Sequence, residues 1–107
     1  MSDFLPKPYR RFNDSHPEVA AAYQALGQAC HEQGGPLEPR LRHLIKLGIA
    51  TAVQSEGAVK SHARQALEAG AAADELRHAV LMALTTTGFP RTVAALEWVD
   101  EVLAARG

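Results

Sequence analysis

The stretch Gln54-Ser55-Glu56-Gly57-Ala58-Val59-Lys60-Ser61-His62-Ala63-Arg64-Gln65-Ala66-Leu67-Glu68-Ala69-Gly70 decides how this chain is read. Ser55 is a residue type that caps a helix start, because its short side-chain oxygen can accept a backbone N–H that has no partner inside the helix. Gly70 is a type that ends one, since it enters the left-handed region without a Cβ clash. Between them Val59, His62, Ala63 and Ala66 recur at three- and four-residue steps and share a face. Glu56, Lys60, Arg64 and Glu68 share the other face, where Glu56–Lys60 and Arg64–Glu68 pairs at four-residue spacing predict a solvated surface. The segment reads as an amphipathic helix with an alanine-rich inner face that carries one histidine.

The pattern continues on both sides. Pro39 suits a first helical turn, and Leu41, Leu44, Ile45, Gly48, Ile49 and Ala52 line one face of a helix running to about Val53. Downstream, Asp74 and Glu75 suit the positive end of a helix that buries Leu76, Val80, Ala83 and Leu84 and ends near Gly88. Pro90 opens a last helix with Val93, Leu96, Val99, Val102 and Leu103 on its apolar side. Upstream, Ser15-His16-Pro17-Glu18 reads as a capping box for a helix carrying Val19, Tyr23, Leu26 and Cys30, which Gly34-Gly35-Pro36 stops. Residues 1–14, where Pro6 and Pro8 stand among Phe4, Tyr9 and Phe12, read as an extended amino-terminal arm, and residues 15–107 as a single domain of about five helices.

Composition agrees with an all-α protein. The 107 residues are 47% hydrophobic but include one Trp, two Tyr and three Phe, so the core must come from closely packed aliphatic helices. A chain this small buries a modest share of its surface alone, and self-association would bury more. Eleven Lys and Arg against twelve Asp and Glu, scattered along the chain, form no basic stripe for nucleic-acid phosphates. No apolar run reaches the ~20 residues that span a bilayer, and Met1-Ser2-Asp3-Phe4-Leu5-Pro6 lacks the pattern of a secretory leader, so a cytoplasmic location is expected. The single cysteine allows no intrachain disulfide, and His16, His31 and His78 have no partner at a metal-ligand spacing. Neither a metal nor a cofactor is predicted.

From about Leu37 to Val102, the order Leu44-Ile45, the segment ending at His62, Ala66-Leu67-Glu68-Ala69-Gly70, Asp74-Glu75-Leu76 and Gly88-Phe89-Pro90 resembles the carboxymuconolactone decarboxylase and AhpD-like alkylhydroperoxidase superfamily. The resemblance implies an AhpD-like helical bundle and a homo-trimer or homo-hexamer. In the thiol branch of that superfamily a helix begins with Cys-x-x-Cys-x-x-x-His, and Ser55 and Ala58 occupy the two cysteine positions here. His62 is what remains of the motif. That branch also has a relay glutamate on the preceding helix, whose place His43 takes in an ungapped match. The decarboxylase branch has a glutamate four residues before the histidine, and Ala58 stands there as well.

A peroxidase cycle needs an activated thiolate and a second thiol to resolve it, which serine and alanine cannot supply. The family label of alkylhydroperoxidase, or peroxiredoxin activity, is therefore disfavoured. His62 is the candidate general acid or base, with an ordinary pKa near 6.5, set beside a small pocket at the start of its helix with Ser55 at the rim. His43 is a candidate to face it. Cys30 reads as a small buried hydrophobe, Thr85-Thr86-Thr87 as hydroxyls bonded back to helix carbonyls, and Trp98 and Phe89 as core or subunit-contact anchors. Two readings stay open: a non-redox acid–base site for a small carbonyl or lactone-like molecule, and a binding or assembly module without catalysis.

Overall fold

The computed structural model describes residues 7–106, and all regular structure among them is helical. Seven helices follow in order: α1 (Lys7–Ser15), α2 (Pro17–His31), α3 (Pro39–Ala52), α4 (Glu56–Glu68), α5 (Ala73–Leu81), α6 (Leu84–Thr87) and α7 (Phe89–Arg106). None of the described helices is long and apolar enough to cross a membrane. The chain divides after Pro36 into two compact units.

In the first unit the expected extended arm is corrected. Residues 7–15 are helical, and Pro8 is tolerated because it lies in the first turn, where backbone N–H groups have no intrahelical acceptor. Residues 1–6 of that arm lie outside the described residues. Because α1 runs through Ser15, the expected capping box does not form; His16 is the N-cap of α2, without a side-chain cap bond, and Pro17 is its first residue. Phe12 and His16 meet across this joint with ring centroids 5.1 Å apart. Two helices cover little surface, so Val19, Tyr23 and Leu26 are exposed, and so is Cys30, contrary to its reading as a buried hydrophobe.

The second unit holds the core. Leu47 and Ala50 of α3, Val59, Ala63 and Ala66 of α4, Leu76 and Val80 of α5, and Ala95, Val99 and Val102 of α7 form one buried cluster. Val59, Ala63 and Ala66 follow at four- and three-residue steps on α4, and the two small alanines let α3 and α7 approach closely, which is why a core with few aromatics closes. Leu47 and Leu76 are both fully buried, each worth roughly 1.5–3 kcal/mol relative to exposure. Trp98 packs against this cluster as expected, whereas Phe89 is 69% exposed.

The helix expected from Asp74 to Gly88 is divided. Met82 and Ala83 keep right-handed backbone angles, but Ala83 N–H bonds Val80 O three residues back, a tightened turn that separates α5 from α6. Thr87 Oγ1 donates to Ala83 O at 3.1 Å, the back-bond expected of this threonine run. Gly88, at φ +99°, then turns the chain into α7.

Candidate functional site

The site is built on the joint between α3 and α4. Gln54 follows the end of α3 in the left-handed region at φ +59°, and two bonds complete the stop: Gln54 N–H to Thr51 O and Ser55 N–H to Ala50 O. This is a Schellman closure without a glycine. Ser55 immediately begins the next helix, its Oγ accepting the Ala58 N–H at 3.3 Å. One residue thus ends α3 through its backbone and starts α4 through its side chain, as its residue type predicts.

The turn is tied to α7 from both directions. Gln54 Nε2 donates to Arg91 O at 3.2 Å, and Arg91 Nη1 donates to Ala52 O at 3.1 Å. Sequence reasoning missed this clamp. The available signal was that no glycine stands between Ile49 and Ser55, so the left-handed position had to fall on a residue with a side chain.

The tight turn folds α3 and α4 back on each other and brings two imidazoles together. His43 Nδ1 and His62 Nδ1 are 3.3 Å apart, with ring centroids separated by 5.5 Å and ring planes inclined by 30°. Both side chains are half-buried, neither sealed in the core nor fully solvated. At this distance the two Nδ1 atoms form a hydrogen bond when one carries a proton and the other presents a lone pair.

Ser55 is placed differently. It lies two turns before His62, about 10 Å of axial rise along α4, and its hydroxyl accepts the helix-capping bond. The expected Glu56–Lys60 pair forms at 2.8 Å, and Lys60 also reaches Glu101 of α7 at 2.9 Å. Hydrogen bonding to Glu56 first, then to Glu101, raises the Lys60 pKa above its ordinary value. Among the ion pairs of the described residues the expected Arg64–Glu68 pair does not occur. Among the described residues no group of three or more His, Cys, Asp or Glu could hold a metal ion.

Residues 17–101 match the carboxymuconolactone decarboxylase family. The chain belongs to this family. A crystal structure of a Burkholderia xenovorans LB400 protein, provisionally assigned as a carboxymuconolactone decarboxylase, superposes with a TM-score of 0.74 over 96% of this chain and 85% of that one, at 22% identity. That likeness establishes a shared helical fold. An uncharacterized Methanocaldococcus jannaschii protein is 27% identical over 105 residues, covering 95% of each chain. An uncharacterized Haemophilus influenzae protein is 35% identical over 62 residues, which are 58% of this chain and 54% of that protein, so the match spans about half of its length. Ser55 caps the helix on which His62, two turns further along, faces His43 of the preceding helix.

Proposed function

We propose that this family member is a non-redox protein in which His62 is the general acid–base and His43 its proton partner, acting on a small carbonyl or lactone-like molecule. The 3.3 Å Nδ1 to Nδ1 contact carries this reading. An acid–base group must gain and lose a proton near ambient pH and needs somewhere for that proton to go. Imidazole meets the first requirement, and a second imidazole at hydrogen-bond distance meets the other. A proton taken up by one ring has an acceptor in the other across this contact. Thiol peroxidase chemistry has no support at this position, because the Ser55 hydroxyl caps α4 and Ala58 has no reactive group.

The same proposal places the protein in the cytoplasm as a homo-oligomer. Val53 at 65% and Phe89 at 69% exposure, on segments clamped together by Gln54 and Arg91, are the large apolar side chains that a neighbouring copy would cover.

The test uses the full chain with a panel of small lactones and β-keto acids. Turnover, or binding of an unreacted panel member, is expected to change between about pH 5.5 and 7.5, and His62→Ala is expected to abolish that change and lower turnover by roughly 100-fold or more. His43→Gln should keep binding while moving the pH profile. Organic peroxides with a dithiol reductant should not be consumed, in the wild type or in Cys30→Ser. A flat pH profile together with unfolding of His62→Ala would assign the histidine to the core and favour the binding-module reading. Peroxide turnover that depends on Cys30 would move the chemistry to that exposed thiol.

A further inference from the structure

We propose that the cleft between α3 and α5 binds a single-chain carboxylate, an anionic head on a hydrocarbon body about 10 Å long, at a site separate from the histidine pair. The cleft has a volume of about 570 Å³, within the range of small-molecule pockets. Arg40 and Glu75 form one end, and Leu44, Gly48, Ala79 and Met82 continue it. Arg40 pairs with Glu75 near the start of both helices, while the Gly48 position faces Ala79 O further along both. The two walls therefore run in the same sense, polar at one end and apolar at the other, over about 10–12 Å of helical rise.

The polar end is set up for an anion with two oxygens. Glu75 is held by its own bond from Ala72 N–H at 2.9 Å and engages Arg40 Nη1, which fixes the guanidinium plane. The opposite edge of that guanidinium, Nε and Nη2, meets a single oxygen of Glu38 at 3.3 Å, and the Glu38 side chain is 57% exposed. Nη2 makes no hydrogen bond to the described residues. A surface contact of this kind contributes little, and a ligand carboxylate can replace it with two parallel charge-assisted bonds.

The apolar end accounts for side chains that the fold leaves uncovered. Leu41, Ile45 and Met82 line the cleft and are 38%, 47% and 66% exposed. Gly48 keeps the floor open: a Cβ there would lie 3.6 Å from Ala79 O, an ordinary contact, so packing does not require glycine. A hydrocarbon chain lying along this floor would cover all three exposed side chains at once.

Octanoate is the probe, titrated into the isotope-labelled full chain by calorimetry and amide NMR, with octanol and octylamine as comparators. One octanoate per chain is expected, with amide shifts centred on Gly48 and Ala79 and with octanol and octylamine each at least about tenfold weaker. Arg40→Met should weaken octanoate by about tenfold while leaving octanol unchanged; Arg40→Lys, which keeps the charge but not the two-pronged edge, should fall between. Met82→Asp, at an exposed position, should weaken octanoate, and His62→Ala should not, which separates this site from the proposed acid–base pair. Equal affinity for octanoate and octanol, an unaltered Arg40→Met, or shifts away from α3 and α5 would overturn the proposal. So would Gly48 and Ala79 amides that respond to protein dilution but not to octanoate, since a second copy would then occupy the cleft.

Discussion

His43 on α3 and His62 on α4 meet through their Nδ1 atoms at 3.3 Å, 19 residues apart in sequence. If one proton lies between them, the rings must adopt complementary tautomers at neutral pH. Long-range nitrogen–proton NMR should show one ring protonated at Nδ1 and the other with a free Nδ1 lone pair. Two rings both protonated at Nε2 alone would rule out the shared proton and remove the relay role of His43.

Gln54 shows how tightly the α3–α4 turn is specified. At φ +59° a β-branched residue is strongly disfavoured, so Gln54→Val should lower unfolding free energy by about 1–2 kcal/mol in a urea titration. Gln54→Gly relieves the backbone strain but loses the bond to Arg91 O and adds freedom to the unfolded chain, so it should lie within about 0.5 kcal/mol of wild type. A tolerated valine would show that the turn relaxes.

Burial separates two leucines on the same helix. Leu76 has no exposed surface and Leu81 is 51% exposed. Leu76→Ala should therefore cost about 2–5 kcal/mol by chemical denaturation, and Leu81→Ala no more than about 0.5 kcal/mol. Equal effects would place α5 differently in the core.

Lys60 links α4 to α7 through Glu101 as well as bonding Glu56. Since its folded pKa is raised above the ordinary 10.5, the stability it adds is fully present below that value and is lost as pH rises through the folded pKa. Lys60→Met should be less stable than wild type by about 0.5–1 kcal/mol at pH 7, with the gap closing above about pH 10.5. A gap that persists unchanged at high pH would assign the effect to the packing of the lysine stem.

Much of the fold is local and was legible in the residues. Pro39, Ser55, Gly70, Gly88 and the apolar steps of α3, α4 and α7 act over one to four residues, and the helices follow them closely. Readings failed where a local signal had a nearby competitor. Ser15 is a good cap, but α1 continues through it and the boundary falls at His16. From Leu76 through Val80 and Ala83 to Leu84 the apolar positions keep helical spacing, so periodicity does not mark the tightened turn at Met82 and Ala83.

By itself the sequence determined an all-helical chain, the segment that carries His62, and the absence of a cysteine pair there, because helix signals and residue identity need no knowledge of distant contacts. The tertiary structure decided which side chains meet. Nothing in the spacing of His43 and His62 requires their rings to touch; that follows from the left-handed Gln54 turn and from alanines that let α3 and α4 pack closely. Arg40 and Glu75, 35 residues apart, come together because α5 packs against α3 after the turn at Gly70. Such pairings depend on the angle and depth at which helices cross, which the summed packing of the core sets rather than any short motif.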